Sequence, residues 1–244
     1  PFELARIAVL SVLAKYFASR HIEMYRLLHV VKSGVYVAIP AFLVFLQPDF
    51  GGIVLLIGLW VLILVMAGMT KKQLFILLCI GAVLGAILWG GFLKEYQKDR
   101  IINFLDPNRD PLGGGYSLKQ AKIAIGSAGI WGRGWLQGPQ IQYGFLPEPH
   151  TDFVFAAFVH EWGLAGAGLV IVLFFVLLWR IIYSALNARN NFSRFAASGI
   201  AFIFLLQAVV NIAVNVGLLP VIGVPLPFMS YGGSLLVTSF AALG

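Results

Sequence analysis

The chain has 244 residues, of which 60% are hydrophobic and 11% charged, with a mean hydropathy of +0.90 and a formal charge of +7. Soluble domains carry roughly 25% charged residues, so this composition excludes a soluble globular domain and describes a polytopic membrane protein. Apolar runs at residues 4–19, 34–46, 53–69, 73–93, 164–183, 196–219 and 226–244 compare with the roughly 20 residues a helix needs to cross about 30 Å of hydrocarbon. No alternating pattern of a membrane barrel is present, and helices are the other structure that satisfies its backbone in lipid. The expected fold class is therefore all-α: a polytopic bundle of about seven membrane segments in one integral domain, with a long outer loop of short or re-entrant helices over residues 94–163. Both chain ends fall inside apolar segments, so the chain reads as a fragment of a longer bundle that lacks its first helices.

In chain order, the first run carries Glu3, Arg6 and Lys15. A charge at mid-bilayer costs about 2.5 to 3.5 kcal/mol on the lenient insertion scale. Glu3 and Arg6, three apart, can pair on one helix face, while Lys15 can snorkel to an interface; the pair is expected to be structural. Short loops with Arg20, Arg26 and Lys32, then Lys71 and Lys72, then Arg180, Arg189 and Arg194 recur at every second crossing. The positive-inside rule makes these loops cytoplasmic. The segments around Asp49, from Lys94 to about Gly163, and from Leu219 to Gly233 then lie outside, and of the ten acids only Glu23 falls inside. Cys79 stands alone in an apolar run and can form no disulfide within the chain.

The outer loop opens with a turn cluster from Asp106 to Gly115, rich in Pro and Gly. Residues 116–126 can form a helix with Lys119 and Lys122 on one face. Gly126 to Gly138 is too broken for a spanning helix and suggests a re-entrant or surface-lying segment buried against protein. A polar stretch follows, Phe145-Leu146-Pro147-Glu148-Pro149-His150-Thr151-Asp152-Phe153, holding two of the ten acids and a histidine. Asp152 could act as a general base or cap the helix that begins after it, and an N-terminal helix dipole would hold it ionised in either role. Glu148, between two prolines, is the rival carboxylate but suits a hydrated turn; His150 could orient Asp152 or bind substrate. No zinc-ligand spacing is present around His150, although Glu161 follows His160. Asn211 and Asn215, four apart, form a polar stripe able to bond across helices. Pro220 to Ser234 interrupts a crossing, as Gln47 to Gly52 does earlier, and such backbone persists only against protein or a cavity. Three broken outer segments imply a shaped, hydrated site. Gly113-Gly114-Gly115 lacks the Gly-Lys-Ser/Thr that completes a nucleotide loop, so no nucleotide or nucleic-acid binding is expected.

These segments resemble the signature motifs of the RodA/FtsW, or SEDS, family of bacterial cell-wall synthesis. Pro1-Phe2-Glu3-Leu4-Ala5-Arg6 resembles Pro-Ser-Glu-x-Ala-Lys, Gln47 to Gly52 resembles Gln-Pro-Asp-x-Gly, and Gln120 to Ser127 resembles Gln-Ser-x-x-Ala-Ile-Gly-Ser. Leu146 to Phe153 matches Leu-Pro-Glu-x-His-Thr-Asp-Phe, and Val224 to Gly233 matches the closing motif. Phe2 departs from the family Ser, and His160 from a family Glu. The approach through Gly138-Pro139-Gln140, the Phe-Leu-Pro spelling and Trp162 resemble the elongation branch, RodA, more than the division branch, FtsW.

The resemblance implies a peptidoglycan glycosyltransferase that polymerises lipid II into β-1,4 glycan strands at the outer face of the bacterial cytoplasmic membrane, for cell elongation and shape. It implies Asp152 as the catalytic base and, at matched positions, Lys122 and Arg100 as candidate pyrophosphate contacts; Lys119, Arg109 and Arg133 are further candidates because Arg binds phosphate in a bidentate fork and Lys as a point charge. Gln120, His150, Glu148 and Ser230 are further substrate-contact candidates, and Glu3, Arg6, Asp49 and Glu161 are structural polar residues. No cofactor or metal site is evident, with room left for a divalent cation, Mg or Mn. Implied partners are lipid II and the nascent glycan strand, a class B penicillin-binding protein, other elongation-complex membrane proteins, and membrane lipids. The alternatives are a flippase for lipid II or another amphipathic anion, suggested by the broken helices, and a non-catalytic scaffold of the cell-wall machinery.

Overall fold

The computed structural model describes residues 2–19, 27–91, 93–106, 110 and 114–244. Arg20, Glu23 and Arg26 of the first loop, and Arg109 and Gly113 of the turn cluster, lie outside the described residues. Among those described the chain is all-helical: α1 (Phe2–Ala18), α2 (Leu27–Leu46), α3 (Phe50–Met66), α4 (Lys71–Gly91), α5 (Glu95–Leu105), α6 (Gly114–Ser127), α7 (Pro139–Gln142), α8 (Val154–Leu186), α9 (Asn191–Val216) and α10 (Gly233–Leu243). Each expected apolar run falls on a helix. Four helices, within α2, α4, α8 and α9, are long and apolar enough to cross a membrane, and α3 and α10 are shorter apolar helices. The chain is thus a multi-pass helical membrane protein. The last run departs from expectation in its first part, since residues 226–232 are turns and the helix starts only at Gly233. The closely spaced prolines there remove ladder donors and fix φ.

The chain divides into two compact units, Pro1–Lys94 with Trp179–Ile203 and Ala242–Gly244, and Glu95–Leu178 with Phe204–Ala241. In the first, α1 packs against α2 and α3. Its buried positions Glu3, Arg6, Val9, Leu10, Leu13, Ala14 and Phe17 recur at the spacing of one helix face. Arg6 pairs with Glu3 one turn away, both nearly enclosed, and lies 5.9 Å from the Phe2 ring centroid. The charges of Glu3 and Arg6 within this apolar helix therefore neutralise each other locally. Asp49 caps α3, its Oδ1 accepting the Gly52 N–H at 2.8 Å. The Trp60 indole donates to Ser33 Oγ at 2.9 Å, joining α3 to α2.

In the second unit, α5 packs on α6, and Phe155, Val159, Ala208 and Leu226 form a buried core from α8, α9 and the turns before α10. Helix α8 is interrupted at Gly163, whose backbone (φ 70°, ψ −168°) is non-helical and belongs to a region essentially restricted to glycine. The break exposes the first-turn N–H groups of the membrane-crossing half, and the loop after α6 satisfies them. Leu164 N–H donates to Gly129 O and Ala165 N–H to Ile130 O, both at 3.0 Å. A Cβ at Gly163 would lie 2.2 Å from Ile130 O and 2.3 Å from Gly132 N.

Gly163→Ala should therefore lower stability by at least about 1–3 kcal/mol from backbone strain alone, with a further loss from the collision. Gly168→Ala, at a helical position with nothing within 4 Å of its Cβ, should be neutral or raise stability by about 0.5–1 kcal/mol. Thermal unfolding of the two purified variants in one detergent checks the contrast.

Candidate functional site

The polar stretch before α8 folds as a tight turn built on Glu148. This residue adopts φ 48°, and its carbonyl accepts the N–H groups of Thr151 (3.2 Å) and Phe153 (3.3 Å). Its carboxylate Oε2 accepts the Thr151 hydroxyl at 3.0 Å. Glu148 is thus engaged by the turn it makes, and His150 stands exposed beside it.

The three carbonyls that follow, of His150, Thr151 and Asp152, are each held from elsewhere in the unit. Tyr231 N–H donates to His150 O at 2.7 Å. The Ser230 hydroxyl donates to Thr151 O at 2.8 Å and itself accepts the Leu226 N–H at 2.8 Å. Asp152 O accepts two side-chain amides, Asn211 Nδ2 at 3.0 Å and Asn215 Nδ2 at 2.9 Å. Asn211 Nδ2 also donates to Val224 O at 2.9 Å, and Asn215 Nδ2 to Asn211 O at 2.8 Å. Asn215 Oδ1 accepts the Ala156 N–H at 2.9 Å, so a first-turn donor of α8 is capped from α9. Both asparagines are enclosed, at 1% and 0% exposure.

Asp152 itself is half-buried, two residues before α8. A Cβ at Gly223 would lie 4.0 Å from its Oδ2, so the carboxylate neighbours the proline-glycine segment between α9 and α10. Lys122 reaches the same end of α9 by another route. Its stem crosses the backbone of Gly217 so closely that a Cβ there would lie 1.8 Å from Lys122 Cε. Gly217, at φ 78°, ends α9 with its N–H donating to Val214 O, while Leu218 N–H donates to Ala213 O. A lysine at this position is favoured by the negative end of the helix dipole. The backbone of Asp152 and the stem of Lys122 are thus both held at the last turns of α9.

The other candidates lie on several elements. Lys119 is exposed and Gln120 half-buried on α6, and Arg100 is exposed on α5, which packs against α6. Arg133 lies in the loop after α6, its Nε donating to Ser127 O at 2.8 Å. Glu161 Oε1 accepts the Leu136 N–H at 3.1 Å, and His160 Nδ1 lies 3.0 Å from Ala124 O, so both side chains fasten that loop and α6 to α8. Among the described residues no group of three His, Cys, Asp or Glu side chains could hold a metal ion. Glu3, Arg6 and Asp49 serve the first unit as an ion pair and a helix cap. An apolar groove of about 150 Å³, lined by Val170, Phe174, Phe228 and Met229 among others, ends one residue short of Ser230. Spacing alone left Asn211 and Asn215 as a stripe bonding across helices. Their role in holding Asp152 had only one signal in the sequence, two amides on one face of an apolar helix.

A model of the FtsW/RodA/SpoVE family, described as cell cycle protein, matches residues 1–244. The chain is 41% identical over 246 residues to the peptidoglycan glycosyltransferase MrdB of Escherichia coli K12, covering all of this chain and 66% of that protein. Its fold is similar to a chain in the structure described as "Structural coordination of polymerization and crosslinking by a peptidoglycan synthase complex", with TM-score 0.84, 32% identity, and coverage of all of this chain and 67% of that one. It is also similar to a mutant of the rod shape determining protein RodA from Thermus thermophilus, with TM-score 0.66, 27% identity, and coverage of all of this chain and 63% of that one.

Asn215→Ala removes the partner of the buried Ala156 N–H and one of the two donors to Asp152 O, and each buried group left unsatisfied costs about 1–3 kcal/mol. Thermal unfolding should register that loss, whereas Asn187→Ala, at an exposed position, should stay within about 0.5 kcal/mol of wild type.

Proposed function

This chain belongs to the FtsW/RodA/SpoVE family of cell cycle proteins, and we propose that it is the main part of a peptidoglycan glycosyltransferase that polymerises lipid II into β-1,4-linked glycan strands. It spans 66% of the length of the curated relative MrdB, which is named a peptidoglycan glycosyltransferase. One observation carries the reading to particular residues: Asp152 is fixed through its own carbonyl by two buried asparagines, and Lys122 lies across the same helix end. Glycosyl transfer from a lipid pyrophosphate needs a base on the acceptor side and positive charge at the leaving group.

In this mechanism the Asp152 carboxylate takes the proton of the acceptor N-acetylglucosamine 4-hydroxyl. The oxygen attacks the anomeric carbon of the donor N-acetylmuramic acid, a new C1–O4 bond forms with inversion, and the C1–O bond to pyrophosphate breaks. The electron pair leaves on the pyrophosphate oxygen, where Lys122, assisted by Lys119, Arg100 and Arg109, balances the charge. Gln120 and His150 belong to the sugar-facing surround, and Glu148 and Ser230, whose hydroxyl is taken up by Thr151 O and the Leu226 N–H, to the frame. Glu161 and His160, the adjacent pair, hold a backbone N–H and approach a backbone carbonyl, respectively. The groove beside Phe228 and Met229 suits the polyprenyl chain of the donor. Loop charge at Lys71, Lys72, Arg180, Arg189 and Arg194 supports a cytoplasmic location for the loops that carry it, and hence, by alternation along the chain, catalysis at the outer face of the cytoplasmic membrane by the segment from 94 to 163. The similar synthase complex coordinates polymerisation with crosslinking, which supports a class B penicillin-binding protein as partner, with other elongation proteins around it.

The test uses the full-length protein with its transpeptidase partner in vesicles, given labelled lipid II. Asp152→Asn should slow strand formation by about a hundredfold to ten-thousandfold, the usual contribution of a general base, while Glu148→Gln stays within a few-fold of wild type and both variants fold. Unchanged polymerisation by Asp152→Asn would remove the base assignment. Lipid II crossing vesicle membranes without polymer would favour the flippase, and no activity of either kind would favour the scaffold.

A further inference from the structure

The loop joining α6 to α7 carries a feature that glycosyl transfer does not use. Residues 130–136 present Ile130, Trp131, Trp135 and Leu136 outward, with the two indoles 82% and 67% exposed. The backbone beneath them is held at five points on α8. Besides the bonds from Leu164 and Ala165 to Gly129 and Ile130, Arg133 N–H donates to His160 O (2.9 Å) and Gly134 N–H to Glu161 O (3.1 Å), and Leu136 N–H donates to Glu161 Oε1 (3.1 Å). The outward aromatic side chains therefore ride on a fixed platform, and ordering them costs little conformational entropy.

That platform has a definite level. Leu164 to Leu186, the apolar half of α8, covers roughly 34 Å at 1.5 Å per residue, enough to cross a hydrocarbon core of about 30 Å. Its first N–H groups are the ones that bond to Gly129 and Ile130, so the loop sits where α8 meets the hydrocarbon boundary. The apolar exposure of α8 runs up to this point through Phe175, Val172, Leu169 and Leu164 to Trp162. The backbone bonds of Leu164 and Ala165 join the loop to the start of this exposed apolar stretch. Indoles are favoured at this depth, with an apolar body and a polar N–H. Between the two tryptophans, Arg133 commits its Nε to Ser127 O. Its Nη groups have no protein partner among the described residues, and they suit phosphate.

We propose that residues 130–136 form an interfacial anchor, in which Trp131 and Trp135 insert among the phospholipid headgroups of the leaflet on the candidate-site side and Arg133 binds a lipid phosphate. The anchor holds the Glu161 end of α8 at a fixed depth. It does not depend on Asp152 being a base.

The test places a nitroxide spin label on Trp131→Cys, Trp135→Cys and, as a control in the same unit, Gln142→Cys, in full-length protein otherwise free of cysteine. Each is reconstituted in phosphatidylcholine bilayers with or without phosphatidylglycerol. Accessibility to oxygen relative to a water-soluble nickel chelate should be several-fold higher at 131 and 135 than at 142. The ratio should rise further with phosphatidylglycerol, and Arg133→Gln should abolish that rise. Equal ratios at all three positions overturn the anchor, and so does shielding of 131 and 135 that appears only after a transpeptidase partner is added, which would make the loop a protein-docking surface. Should a cysteine variant fail to unfold cooperatively, brominated phospholipid supplies the same reading. Wild type must then lose more tryptophan fluorescence than the Trp131→Phe/Trp135→Phe double variant, and equal losses overturn the proposal.

Discussion

The candidate site depends on the fixing of three consecutive carbonyls, of His150, Thr151 and Asp152, by Tyr231 N–H, Ser230 Oγ and the amides of Asn211 and Asn215. Backbone leaving a helix inside an apolar protein must find partners, because a buried carbonyl without one forfeits its hydration. Here the partners come from α9 and from the turns before α10, elements about 59 to 81 residues further along the chain that cannot form the bonds until the whole unit is folded. The peptide carrying Asp152 therefore has a location decided by packing and not by its own turn. Amide side chains suit the task, since each offers two donors and an acceptor. Asn215 uses both kinds, holding Asp152 O with its nitrogen and the Ala156 N–H with its oxygen.

The same rule organises the other irregular stretch of this unit. Breaking α8 at Gly163 releases backbone groups at the membrane boundary, and the loop from Gly129 to Leu136 supplies what they lack, while α8 returns the carbonyls of His160 and Glu161 to the loop. Irregular backbone thus finds partners far along the chain in two places, residues 150–152 with Ser230, Tyr231 and the asparagines of α9, and residues 129–136 with α8 on either side of its break at Gly163. Each pairing leaves a different side chain surface free. The first frames a carboxylate, and the second supports exposed indoles.

The helices were legible in the sequence because a bilayer demands long apolar runs, and each expected run corresponds to a helix. The departures arise where local chemistry overrides hydropathy. Leu226 to Gly232 is apolar yet irregular, since Pro225 and Pro227 cannot continue a ladder, and α5 forms although Glu95 to Leu105 is too polar to register as a span. For the site, Glu148 could be read as a turn residue from its flanking prolines, and Asp152 could be singled out. What holds Asp152 was not legible, because the bonds from Asn211 and Asn215 end on a backbone carbonyl, which every residue possesses. A side-chain pattern announces that an amide must bond to something and leaves the partner open until the fold is known.

The proposed amphipathic substrate would add a further constraint, which the arrangement of Leu226 to Ser230 would meet. Met229 and Phe228 line an apolar groove on α8, whereas Ser230, next in the chain, bonds to the polar stretch through Thr151 O. The change from hydrocarbon surroundings to hydrogen-bonding surroundings thus takes place within one peptide unit. Phe228 adopts φ 64°, a conformation that costs a non-glycine residue about 1–3 kcal/mol; its ring packs between Phe204 and Phe228's other neighbour, Phe240, at 5.4 and 5.5 Å, which offsets that strain. The turn directs Phe228 toward apolar partners while leaving Ser230 to face Thr151. A donor whose chain lies in the groove would bring its pyrophosphate to the polar side of this turn without drawing charge through hydrocarbon, where even one ion costs several kcal/mol. The rigid turn would set how far the head group extends from the lipid, and the buried asparagines would set where the carboxylate waits. Both elements bond to α9, so that helix sets the spacing between the turn and the Asp152 backbone.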